Sequence, residues 1–146
     1  MKRSKQILRG IAVVVAAIIG LVWQSLNGGV PGGSGQDDAA RIVAAYEAQQ
    51  SDLWVESSGT IERTLPDDNE GSRHQRFIVR LSNGHSVLIA HNIDLAPKVP
   101  LSKGDQILFK GEYEYNNKGG VVHWTHHDPR GRKDGGWIAL NGEIYQ

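Results

Sequence analysis

Three of the six histidines in the chain fall within five residues, in the run Gly119-Gly120-Val121-Val122-His123-Trp124-Thr125-His126-His127-Asp128-Pro129-Arg130-Gly131-Arg132. Imidazoles ligate transition metals, carry protons near neutral pH and contact anions. The neighbouring Asp128, Arg130 and Arg132 add a carboxylate and two forked cations, and Trp124 adds a stacking surface. A metal reading takes His126, His127 and Asp128 as the local ligands of a divalent ion, completed by His123 or His91. Spacing weighs against it. On a straight strand, residues alternate faces and rise about 3.3 Å each, so His123 and His127 share a face but stand about 13 Å apart. His126 then faces away from both, and the pattern is not the HExxH of a zinc-binding helix.

The same run has a purely structural reading. Asp128-Pro129-Arg130-Gly131 fits a type I turn, with Asp first, Pro second and Gly fourth. A strand carried through Val122, Trp124 and His126 would place these three on one face, Trp124 in the core, with His123 and His127 on the other. A binding reading joins Arg130, Arg132 and Lys133, a compact basic spot, to Trp124 and Trp137. The candidate ligand-binding set is therefore His91, His123, Trp124, His126, His127, Asp128, Arg130, Arg132 and Trp137. Catalysis is the competing class: His126 or His127 as general base, or a metal-activated water, would make the His123–Asp128 cluster a metal-dependent hydrolase. No catalytic residue is assigned, because the serines Ser82, Ser86 and Ser102 lie in no Gly-x-Ser-x-Gly elbow. Glu112 and Glu114 share a strand face and read as a solvated stripe. Asp67-Asp68-Asn69-Glu70 is too irregular for a calcium loop.

The elements that must position these residues are mostly strands. Asp37 to Gln50 predicts one helix, with Ile42, Val43 and Tyr46 as its apolar stripe and Asp37 and Asp38 at its positive end. Val55–Leu65 reads as a strand, and Pro66–Gly71 as a loop. Arg73–Leu81 alternates, with Phe77, Val79 and Leu81 on one face and Arg76 and Arg80 on the other. Asn83-Gly84 predicts a tight hairpin into His85–His91. Gln106–Tyr115 follows, with Gly111 expected at a bulge or sharp bend. Val121–Thr125 is the next strand, and a last hairpin pairs Trp137–Leu140 with Glu143–Tyr145 across Asn141-Gly142. Short strands of this number with glycine bends predict a mainly β fold, a small OB-like antiparallel β-barrel with one short N-terminal helix.

The chain has 146 residues, enough for one domain. Formal charge is zero, from 16 basic and 16 acidic residues. Lys2, Arg3, Lys5 and Arg9 precede the first apolar run, so the remainder carries 12 basic against 16 acidic groups, a net of −4. A net acidic domain lacks the positive field of nonspecific nucleic-acid binding, and nucleic acid is not an expected partner. There is no cysteine, which excludes disulfides, thiolate nucleophiles and lipid attachment through Cys.

Ile11–Trp23 is unbroken apolar sequence behind the basic stretch, the form of a signal anchor or signal peptide. Extended over Ile7–Leu26, with Arg9 snorkelling and Trp23 at the interface, it is long enough to span a bilayer. Positive charge stays inside, so the expectation is a single-pass inner-membrane protein with its domain in the periplasm. Cleavage would instead release the domain to the periplasm, but no small-x-small site follows Trp23 directly, which favours an uncleaved anchor. Residues 27–36, half glycine, form a flexible tether. The organisation is thus 1–26 signal anchor or signal peptide, 27–36 linker and 37–146 domain.

From Gln75 onwards, His91-Asn92-Ile93-Asp94-Leu95-Ala96-Pro97, Gly111-Glu112-Tyr113-Glu114, the HWTHHDP run and Gly135-Gly136-Trp137-Ile138 with Tyr145 resemble an uncharacterised bacterial family known only as a domain of unknown function. The resemblance implies a small exported single-domain protein and transfers no catalytic role. The expected function is a binding or interaction module of the envelope, with an envelope protein, peptide or glycan as partner. No resident cofactor is expected beyond the divalent metal of the competing reading. Oligomeric state is not legible from these residues.

Overall fold

The computed structural model describes residues 37–146; the expected membrane anchor at 1–26 and linker at 27–36 lie outside the described residues. The described chain holds one helix, α1 (Ala39–Glu47), and seven strands: β1 (Leu53–Asp68), β2 (His74–Leu81), β3 (Ser86–Asn92), β4 (Gln106–Glu114), β5 (Val121–His123), β6 (Trp137–Leu140) and β7 (Glu143–Tyr145). The fold is mainly β, as the alternation in the sequence predicts.

Local chemistry explains the turns. Gly84 has a φ of 85°, and the Leu81 N–H donates to the His85 carbonyl at 2.8 Å, closing the hairpin expected at Asn83-Gly84. Asn141 and Gly142 both take positive φ, 51° and 83°, as a type I′ turn requires between β6 and β7. Period-two burial then selects the core. β2 turns Gln75, Phe77, Val79 and Leu81 inward, and β3 turns in Val87, Ile89 and His91. Ile107, Phe109 and Tyr113 of β4, Val122 of β5 and Ile138 of β6 complete the interior, with Ile42 and Ala45 of α1 packed against it.

β1 is the hub. It pairs antiparallel with β2 over Gly59–Asp68 and with β4 over Leu53–Thr60. β2 pairs with β3, β3 with β5 and β5 with β4, so the pairings run in a cycle β1–β2–β3–β5–β4–β1. A cycle with an odd number of strands cannot be antiparallel throughout. One neighbouring pair must run the same way, and that pair is β3–β5, with Leu88 opposite Val121 and Ile89 opposite Val122. The expectation of a wholly antiparallel sheet is corrected by this geometry.

Other corrections follow from tertiary contacts. β1 continues past Leu65 to Asp68, with an irregular register, so Pro66–Asp68 belong to the strand rather than to a loop. Gly111 sits at no bulge: the β1–β4 register passes through Val55 and Gly111 without a shift. The glycine is needed instead for close approach, since a Cβ there would lie 2.5 Å from the His123 carbonyl oxygen. Helix α1 is shorter than Asp37–Gln50, and Val43 and Tyr46 are only half-buried. Asp37, not the N-cap residue Asp38, caps it, accepting the Ala39 N–H at 3.2 Å.

The largest correction concerns the histidine run. β5 ends at His123, and Trp124 takes a φ of 58°, which turns the chain out of the sheet. Val122, Trp124 and His126 therefore do not share a strand face. β5 pairs with Glu112–Glu114, and β6 resumes along the same edge of β4 at Ile107–Lys110. Residues 124–136 are thus an excursion from one interrupted strand line.

Candidate functional site

The neck of that excursion is closed by backbone. The Gly136 N–H donates to the His126 carbonyl at 2.8 Å. A Cβ on Gly136 would collide with the carbonyl oxygens of Lys110 and Trp124, so only glycine lets the two arms meet over β4. Inside the loop, the Gly131 N–H donates to the Asp128 carbonyl at 3.0 Å, closing the turn expected at Asp128–Gly131. The Asp128 carboxylate accepts the backbone N–H groups of Arg130, Arg132 and Lys133, each at 2.9 Å. The Arg130 N–H, helped by those of Lys133 and Arg132, holds this carboxyl below the ordinary carboxylate range. Asp128 is therefore the organiser of the loop.

Trp124 stands in a short column of side chains. Its ring centroid lies 5.2 Å from that of His126, tilted by 32°, and the Lys133 ammonium sits 4.4 Å from the Trp124 centroid. Lys133 Nζ reaches Glu112 Oε2 at 3.1 Å. Glu112 is 7% exposed, so the expected solvated stripe is corrected: Glu114 is exposed, but the loop covers Glu112. An Ala at Glu112 would leave the Lys133 ammonium without its carboxylate.

His91 is fully buried and supports the loop from below. Its Nε2–H donates to the Pro97 carbonyl at 2.9 Å, and its Nδ1 lies 2.8 Å from Thr125 Oγ1. A carbonyl can only accept, so Nε2 carries the proton and Nδ1 accepts from the Thr125 hydroxyl. Burial, reinforced by the nearby His126, pushes this imidazole towards its neutral form. His91 thereby ties the 93–100 loop to Thr125, next to Trp124.

Between these two loops lies a cleft of about 440 Å³, lined by Leu95, Trp124, Asp128, Pro129, Arg130, Arg132 and Lys133. Of the candidate set, Trp124, Asp128, Arg130 and Arg132 meet there. Trp137 opens β6 opposite Lys110 and does not line the cleft. His123 lies on the other flank: its Nε2 is buried without a hydrogen bond, 3.3 Å from Glu114 Oε1. His127 is exposed, and its carbonyl accepts from His126 Nδ1 at 2.6 Å. Among the described residues no three His, Asp or Glu side chains stand in position to hold a metal ion. Leu95 is the lining residue that the sequence alone does not single out. The available signal is an exposed apolar residue in the short turn after β3, where Leu95 stands between Asp94 and Ala96.

A family model for proteins of unknown function, DUF3465, matches residues 32–146. The chain belongs to the DUF3465 family. The match takes in every described residue of the DUF3465 domain, from Asp37 and α1 to the β6–β7 hairpin, and the whole of the cleft. A comparison with curated proteins finds no match.

Proposed function

We propose that the DUF3465 domain is a small OB-like β-barrel acting as a binding module, held at the outer side of the inner membrane by its apolar N-terminal segment. The closed cycle of five strand pairings, with β1 shared between β2 and β4, supports the barrel. The basic residues before Ile11 support the orientation. The observation that carries the binding reading is the cleft. Its lining joins cationic to apolar side chains on a loop whose backbone is fixed by Asp128 and Gly136. Preorganised loops on a rigid β scaffold are where binding groups concentrate. Two groups a hydrolase would draw on, His91 and Asp128, are engaged in holding the loops together.

The test uses the full-length chain in non-ionic detergent. Thermal melting is followed in the presence of acidic and basic peptides, anionic glycans, soluble cell-wall fragments and zinc, manganese or calcium. A binding module gives saturable stabilisation by one organic class, about 2.7 kcal/mol at a hundredfold excess over Kd, lost in a folded Trp124→Ala variant. Metal-dependent breakdown of the ligand would sink this reading in favour of the hydrolase.

A further inference from the structure

The cleft is chemically lopsided. Its apolar lining is Leu95, 46% exposed, Pro129 and Trp124. Its lining also carries the guanidinium groups of Arg130 and Arg132, neither of which makes a hydrogen bond or salt bridge among the described residues. Elsewhere Arg41, Arg73 and Arg80 each pair with a carboxylate, of Asp38, Asp94 and Glu62. The one acidic residue lining the cleft, Asp128, has its carboxylate bonded by three backbone N–H groups, and the Arg132 charge acts on it only through space, without a salt bridge. Lys133 is already matched by Glu112. Two exposed forks without a salt bridge therefore stand beside an exposed leucine.

On the binding-module reading above, we infer that this cleft takes a short acidic peptide segment in which a carboxylate stands beside an aliphatic side chain. Guanidinium forks match planar carboxylates in two parallel hydrogen bonds. Leu95 and Pro129 offer an aliphatic seat of the kind that a leucine or valine fills. A sugar is the poorer match, because it needs a bare aromatic face, and the Trp124 ring already has the Lys133 ammonium over it and the His126 ring beside it.

The experiment is isothermal titration calorimetry on the full-length chain in non-ionic detergent. The probes are the acetylated, amidated peptide Leu-Asp-Leu-Glu-Leu, its Leu-Asn-Leu-Gln-Leu counterpart and an oligogalacturonate. The acidic peptide should bind, weakening as salt is raised. The amide counterpart should bind about tenfold more weakly or not at all. The Arg130→Gln/Arg132→Gln variant, whose changes are on exposed side chains, should melt like the parent and lose binding by about tenfold or more. Equal binding of the two peptides, or an unaffected double variant, would overturn the inference. So would binding of the oligogalacturonate alone, which leaves the binding module standing with a glycan ligand. Silence of all three probes also overturns it, and the binding module itself fails only if the wider panel is silent too.

Discussion

The two ends of β3 treat their polar groups in opposite ways. At the hairpin end, polar side chains close on one another. The Asp37 carboxylate accepts the hydroxyls of Ser57 at 2.6 Å and Ser82 at 2.9 Å. Asn83 Nδ2 donates to the Ala39 carbonyl, and His85 Nε2 donates to that of Gly119. Tyr46 packs on both His85 and Tyr115. At the His91 end, His91 is likewise saturated, but Arg130 and Arg132 face water beside Leu95. A saturated polar cluster is a fastening. An organised loop with cations that make no salt bridge keeps polar groups facing water, and on the proposed binding reading this makes the His91 end the docking end.

The sharpest way to break this contrast is His91→Ala. It empties a fully buried site and orphans the Pro97 carbonyl and Thr125 hydroxyl, so a loss of about 3 kcal/mol is expected in urea unfolding. Gly136→Ala forces a Cβ into two carbonyl oxygens and should cost about 2 kcal/mol while exposing Trp124, seen as a red shift in its emission. Asp37→Ala, at the other end, should cost about 1 kcal/mol and leave peptide binding at the cleft unchanged, since its partners are Ser57, Ser82 and α1.

Acidification probes His91 more gently. Its folded pKa is depressed by burial, so the unfolded chain binds a proton first as pH falls. The contribution of neutral His91 is complete above about pH 6.5, the ordinary imidazole value, and is lost as pH falls through the lower folded value. The melting temperature should decline across that window and flatten in His91→Gln. The depressed carboxyls act lower still: Asp37 through its Ser57 hydroxyl bond, Asp128 through the Arg130 N–H and Asp94 through the Arg73 N–H below about pH 4, and Glu62 through its Ser86 hydroxyl bond below about pH 4.5. The smallest expected stability effect is that of Arg130→Gln/Arg132→Gln, within about 0.5 kcal/mol, because both side chains are exposed and neither guanidinium makes a salt bridge among the described residues.

Much of this molecule is legible one residue at a time. Asn83-Gly84 and Asn141-Gly142 require positive φ, and Asp128-Pro129-Arg130-Gly131 prefers one turn, because these are properties of a few adjacent torsions. The inward sets Phe77, Val79 and Leu81 and Val87, Ile89 follow from the two-residue period of a strand. Other expectations failed where the deciding partner was distant in sequence. Strand pattern alone puts Gly111 at a bulge, but its close neighbour is the His123 carbonyl. Alternation puts Glu112 in water, but the Lys133 loop folds over it. The same alternation puts Trp124 on a strand face, yet it takes a positive φ beside a neck that Gly136 closes.

The sequence by itself determined the turns, the strand alternation, the helix and the family to which the chain belongs, since each depends on local torsions or on motifs readable in order. Only the tertiary structure decided that β3 and β5 run parallel, that β5 and β6 are one interrupted line along β4, and which of the clustered residues meet in a cleft. Those outcomes depend on long-range pairing: an odd cycle of strands must contain a parallel pair, and a loop's side chains take their neighbours from whichever strands its ends are anchored to.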